Sequence, residues 1–184
     1  CSSDLYDIRP WLPVLAGKVV ETPEMSERFL WDFRRTVSEM ILENYHQRLC
    51  DLLEPYGLQF SVEAYGNFNI NTLKYAEFGD MPVCEFWTQG NERFPRLKPQ
   101  QYFNSMKVMA SSAHTTGKTK VGAEAFTGNR GWKDHPYIYK GAGDEAFCEG
   151  VNQYLLHLSA HQAYDEMVPG LTHQRWGGHF NRHN

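Results

Sequence analysis

Pro82-Val83-Cys84-Glu85-Phe86-Trp87 is the stretch on which the fold turns. It is an apolar run that reaches a glutamate and then meets aromatic rings. The same frame recurs in Phe60-Ser61-Val62-Glu63-Ala64-Tyr65 and in Val121-Gly122-Ala123-Glu124-Ala125-Phe126. Each run is short and apolar enough to be a strand of a parallel sheet. A glutamate inside such a strand is costly to bury unless it is paired or used. A fourth apolar run, Tyr154-Leu155-Leu156-His157-Leu158-Ser159-Ala160-His161, ends in histidine instead.

Helical signals fill the intervals. Thr22 is a cap, Pro23 suits the first helical position and Glu24 suits the positive end of the helix dipole. Leu30, Phe33, Val37, Met40, Ile41, Tyr45, Leu49 and Leu52 then follow at helical spacing, until Pro55 and Gly57 stop the helix. Leu58–Glu63 is the next strand, and Tyr65–Asp80 reads as a loop rich in Gly66, Asn67, Asn69 and Asn71. A polar loop with Pro95 and Pro99 leads to a helix from Gln101 to about Thr115, closed by Gly117. Lys120–Phe126 is a strand, the segment around Gly128, Asn129, Gly131, Trp132 and Pro136 a loop, and Ala142–Asn152 a helix.

Strands that alternate with helices imply βα units and a parallel sheet. The strand-end residues Glu63, Glu85, Glu124 and His161 are 22, 39 and 37 positions apart. Two of these intervals match the span of a barrel βα unit, and the first is too short for a full helix. The expected fold class is α/β, a partial (β/α)8 TIM barrel of about four βα units, with residues 1–184 as a single fragment. A complete barrel takes about 250 residues, so two sheet edges are expected to lack partners.

Composition agrees with a globular chain. Of 184 residues, 41% are hydrophobic and 22% charged, which excludes a disordered segment. Net charge is −4 and no Lys/Arg stripe exists, so nucleic acid is not an expected partner. The longest apolar runs are too short to cross a bilayer, and no basic amphipathic segment suits a membrane surface. Cys1, Cys50, Cys84 and Cys148 are scattered without a CxxC motif, so zinc and redox motifs are not indicated. The chain starts at Cys1 and its last residues, Gly177–Asn184, look interrupted, so it reads as an excerpt of a longer protein.

At the C-terminal ends of barrel strands, Glu63, Glu85 and Glu124 would form an acidic mouth, ringed by Tyr65, Phe86, Trp87, Phe126 and Trp132. Glycoside hydrolysis needs two carboxyl groups, one to protonate the leaving oxygen and one to activate water or attack the anomeric carbon. The same oxygens could hold Ca²⁺. Trp87 and Trp132 can stack on sugar rings or simply pack. His157 and His161 share parity on the last strand, and His161-Gln162 can bond sugar hydroxyls or be structural. Asp134-His135-Pro136 is a plausible loop contact.

Longer motifs sharpen this reading. Trp11–Val20, Ser26–Thr36, Val62–Gly66, Gly122–Thr127 and Ala146–Asn152, with His161-Gln162, Pro169-Gly170 and Trp176-Gly177, resemble the catalytic barrel of glycoside hydrolase family 106 over nearly the whole chain. The resemblance implies the C-terminal half of that barrel and an inverting, calcium-dependent α-L-rhamnosidase acting on plant-type glycans, periplasmic or extracellular. It implies that Glu124, in Ala123-Glu124-Ala125-Phe126-Thr127, is the general base, with the general acid on a strand before Cys1. Tyr65, Trp87, Trp132 and His161 then become substrate contacts, and Glu63 and Glu85 become sugar or Ca²⁺ ligands. The partners implied are an oligosaccharide or polysaccharide and the remaining half of the barrel. The chain departs from the family at Ala64, where proline is expected, and between Asn67 and Asp80. Three alternatives stay open: a retaining glycosidase, a non-catalytic carbohydrate-binding protein, and a metal hydrolase built on His157, His161 and carboxylates.

Overall fold

The computed structural model describes residues 7–64, 70–88, 105–128, 131–168, 170–171 and 180. Tyr65, Asn67, Asn69, the loop with Pro95 and Pro99, the start of the helix expected from Gln101, Asn129, Pro169 and Trp176-Gly177 lie outside the described residues. The chain divides into two compact units, residues 1–58 with 68–71 and residues 59–67 with 72–184.

The first unit is helical. A short helix α1 (Leu12–Leu15) precedes the long helix α2 (Pro23–Ile41), which continues through a π-helical stretch (Leu42–Gln47) into α3 (Arg48–Leu53). Thr22 caps α2 as expected: its backbone is extended and its hydroxyl accepts the Met25 N–H at 3.2 Å. Gly57 ends the run in the left-handed conformation, at φ 63°. The buried face differs from the expected stripe. Ser26, Phe29, Ser38, Leu42 and His46 are buried, whereas Met40, Tyr45 and Leu52 are exposed. A π turn holds more than four residues, so the stretch after Ile41 rotates the inward face and later positions fall out of an α-helical count. Buried Ser26 is satisfied by Val20, accepting its N–H at 2.9 Å and donating to its carbonyl at 3.0 Å.

The second unit holds a parallel four-stranded sheet in the order β1 (Ser61–Glu63), β2 (Met81–Trp87), β3 (Gly122–Thr127), β4 (Gln153–Leu156). Helix α4 (Thr72–Phe78) links β1 to β2, α5 (Ser105–Thr115) precedes β3 and α6 (Pro136–Glu149) links β3 to β4. This is the consecutive βα arrangement the sequence implies. The stretch read as a loop up to Asp80 contains the two-turn helix α4, short enough to fit the 22-residue interval. Helix α6 starts six residues earlier than expected because Pro136 occupies its first turn instead of a loop. It stops at Gly150, where φ is 107°. There a Cβ would approach the Ala110 Cβ to 2.8 Å, so conformation and space both call for glycine. β4 is shorter than the expected Tyr154–His161: it ends at Leu156, so His157 and His161 lie beyond the strand.

The core of this unit lies between one sheet face and the helices. Ala64, Cys84, Phe86, Ala123 and Ala125 meet Met109, Ala110 and Ala113 of α5 and Tyr139, Ala142 and Ala146 of α6. Small residues on both surfaces let the helix axes approach the sheet closely. Tyr154 crosses this layer and its hydroxyl donates to the Gly143 carbonyl at 2.5 Å.

Candidate active site

Register places the three glutamates. Glu63 pairs with Val83, and Val83 with Gly122; two residues further along, Glu85 pairs directly with Glu124. Paired residues of a parallel sheet project to the same side, and so do residues two apart. Glu63, Glu85 and Glu124 therefore share one face, opposite the helix-packed face of Cys84, Phe86 and Ala123. The same face also carries Met81, Val83, Gly122 and Leu155; a Cβ on Gly122 would touch the side chains of the other three at 3.1–3.2 Å. Glu63 closes β1, Glu85 lies two residues before the end of β2 and Glu124 three before the end of β3, on adjacent strands about 4.8 Å apart.

Each carboxylate has its own setting. Glu85 is buried, and the Trp87 indole N–H, two residues on and on the same face, donates to its Oε1. Trp87 is half-buried beside it. Glu63 is half-buried and close enough, with Glu85, to disfavour the Cys84 thiolate. Burial is the larger cause, and together they push the Cys84 thiol up to about 12. Glu124 keeps 26% of its side chain exposed. Its Oε1 accepts the Thr127 hydroxyl at 2.5 Å, and the His157 Nδ1 lies 3.7 Å from the same oxygen.

Two aromatic residues expected around the mouth belong elsewhere. Phe86 points to the helix side by strand alternation. Phe126 would face the mouth in a regular strand, but β3 carries a bulge. Glu85 pairs with Glu124 while Trp87 pairs with Thr127, so Ala125 and Phe126 together oppose Phe86. Phe126 takes up the extra residue at φ 65°, a left-handed conformation rare for a bulky side chain. Its ring turns into the core, edge-on to Phe86 with centroids 5.1 Å apart and 5.0 Å from Tyr139. Thr127 is thereby brought to the side of Glu124. Sequence alternation misses Thr127 for that reason; His157, singled out in the sequence with His161, lies just past β4 on the side of Glu124.

Past the strand ends, the Thr88 hydroxyl donates to the buried Asp134 carboxylate at 2.7 Å, and the Thr88 N–H to the Thr127 carbonyl at 2.8 Å. Asp134 thus ties the loop after β3 to the end of β2. Trp132, in a single 3-10 turn, is 38% exposed. His161 is exposed. Gln162 is a structural hook: its amide donates to the Leu171 carbonyl and accepts the Leu171 N–H, both at 2.8 Å. Among the described residues, no three His, Cys, Asp or Glu side chains group closely enough to hold a metal ion. Glu63 and Glu85 offer hard oxygens of the kind Ca²⁺ prefers, but the described residues alone do not complete a calcium site. No helix among them is long and apolar enough to cross a membrane.

The family model for glycoside hydrolase family 106, described as alpha-L-rhamnosidase, matches residues 3–184. The chain belongs to this family. A solved structure of a rhamnosidase from Novosphingobium sp. PP1Y superposes with a TM-score of 0.82 at 32% identity, over 98% of this chain and 17% of that one. The fold is accordingly part of a (β/α)8 barrel. A protein from Formosa agariphila that carries a beta-glucuronidase name is 42% identical over 180 residues, 97% of this chain. The chain spans only 14% of the length of that relative.

Proposed function

We propose that the protein containing this chain is an inverting α-L-rhamnosidase releasing terminal rhamnose from plant-type glycans, with Glu124 as its general base. The observation that carries the reading is the pairing of Glu85 with Glu124 on the face that also bears Glu63, within three residues of the C-terminal ends of adjacent strands. That end of the barrel is where these folds do chemistry. In this mechanism a rhamnoside lies across the mouth. An acid from another strand protonates the glycosidic oxygen. Glu124 takes a proton from a water on the opposite face of the ring, and that water's oxygen bonds to the anomeric carbon as the bond to the leaving oxygen breaks. Inversion requires carboxyl groups about 6.5–9.5 Å apart, with room for the water between them.

The acidic mouth also bears on the choice of sugar. Three glutamates on one face would repel the carboxylate of a uronic acid but not a neutral deoxy sugar. This favours rhamnose over glucuronate. Glu63, Trp87, Trp132 and His161 are the residues we assign to sugar contacts, and Glu63 or Glu85 to calcium if the family's ion is bound. The test uses the full-length enzyme with an aryl α-L-rhamnoside and an aryl β-D-glucuronide. Rhamnoside turnover with β-rhamnose as the first NMR-detected product is expected. Glu124→Gln should lower kcat at least about 1,000-fold, since it removes the base outright. An α-configured first product, or near-normal turnover by the variant, would overturn the assignment.

A further inference from the structure

We propose that the β3 bulge is a positioning device for Glu124, with Thr127 as the residue that aims it. The proposal rests on Glu124 being the base. Without the bulge, Phe126 would share the face of Glu124 and Thr127 would point toward the helices. With it, Phe126 is locked among Phe86, Tyr139 and Tyr154, at centroid distances of 5.1, 5.0 and 5.4 Å, and Thr127 turns to Glu124. Core packing thus holds a polar residue in place at the mouth.

The contact has a direction. Thr127 donates to Oε1 at 2.5 Å, and His157 Nδ1 faces that same oxygen at 3.7 Å. Among the described residues neither reaches Oε2. Oε2 is therefore the oxygen left to receive the water's proton. A glutamate has three side-chain torsions to order, and an ångström of misplacement can cost a factor of about 100 in rate. Thr127 is well suited to restrain it, because its branched Cβ limits its own rotamers and it is 3% exposed. The Thr127 carbonyl is also fixed, by the Thr88 N–H at 2.8 Å.

The experiment compares Thr127→Val, Thr127→Ser and Glu124→Gln in the full-length enzyme, with p-nitrophenyl α-L-rhamnoside as substrate. This leaving group needs little acid assistance, so the base step dominates the readout. Valine keeps the branched shape and deletes the hydroxyl. It should lower kcat about 10- to 100-fold, the worth of one charge-assisted hydrogen bond, with KM within about twofold. Serine keeps the hydroxyl and should restore most of kcat. If valine disturbs folding, judged by circular dichroism and Tm, Thr127→Cys supplies a weak donor of similar size and should fall between serine and valine-like loss. Wild-type kcat in the valine variant, or equal loss with serine and valine, would overturn the positioning role. With Glu124→Gln inactive, either outcome leaves the base in place and removes only Thr127. An active Glu124→Gln overturns both.

Discussion

Replacing Phe126 by alanine and by glycine separates the bulge from an ordinary strand, because the two models predict opposite orders of stability. Phe126 is 6% exposed and its ring lies 5.0–6.0 Å from the rings of Phe86, Tyr139, Tyr154 and Phe180. Either substitution removes that ring, at a cost of about 3–5 kcal/mol. The difference between them is a backbone effect. In a regular strand glycine is less stable than alanine by about 0.5–1 kcal/mol, through its larger loss of chain entropy. At φ 65° an alanine Cβ adds roughly 1–2 kcal/mol of strain that glycine avoids. The net expectation is a glycine variant more stable than the alanine variant by about 0.5–1 kcal/mol. Hydrogen exchange of peptides spanning Gly122–Thr127 in the full-length enzyme reads this locally, without requiring a two-state transition of a large protein. Greater protection in the alanine variant would refute the left-handed Phe126, and with it the route by which Thr127 reaches Glu124.

Two further outcomes follow from buried titratable groups. Burial, reinforced by Glu63 and Glu85, raises the Cys84 thiol to about 12, whereas Cys148 is exposed. A thiol reagent at pH 8 should therefore modify Cys148 and spare Cys84 in the native enzyme, read by peptide mass mapping; equal labelling would contradict the buried strand. His46 is held below its ordinary value of 6.5 by burial, partly offset by its bond to the Ile41 carbonyl. The unfolded chain then binds the proton more readily. This residue's contribution to stability is full above pH 6.5 and declines as pH falls toward the depressed folded value. His46→Gln should flatten the fall in Tm between pH 7.5 and pH 5, and an unchanged slope would remove His46 as a contributor.

The parts of the molecule legible in its sequence are those governed by local rules. Thr22, Pro23 and Gly57 mark the helix ends through backbone chemistry that no distant contact alters. The apolar runs ending in Glu63, Glu85 and Glu124 mark strands because a parallel strand covered by helices has few other patterns open to it. Glu124 was reachable because it lies before the bulge, where alternation still holds. Errors begin where one added residue changes the phase. The π-helical stretch at Leu42–Gln47 rotates the inward face of a helix, so Tyr45 and Leu52 are exposed while His46 is buried. The extra residue in β3 exchanges the faces of Phe126 and Thr127 in the same way. Neither leaves a local signature, since a bulky residue is accepted at positive φ only when the surrounding packing holds it there.

That dependence bears on how the site works. A carboxylate that must take a proton from a particular water needs both a place and an orientation. The strand supplies the place, and any glutamate in that register would have it. The orientation comes from Thr127, and Thr127 is there because a phenylalanine shifted one residue out of phase is more stable in the core than at the mouth. Seating that ring more than offsets the roughly 1–2 kcal/mol of backbone strain at Phe126, given the about 3–5 kcal/mol typical of a buried phenylalanine. The aromatic cluster behind the sheet and the carboxylate in front of it are therefore mechanically one device. A cavity cut at Phe86 or Tyr139 weakens the hold on Phe126 and should loosen Glu124 without touching the substrate.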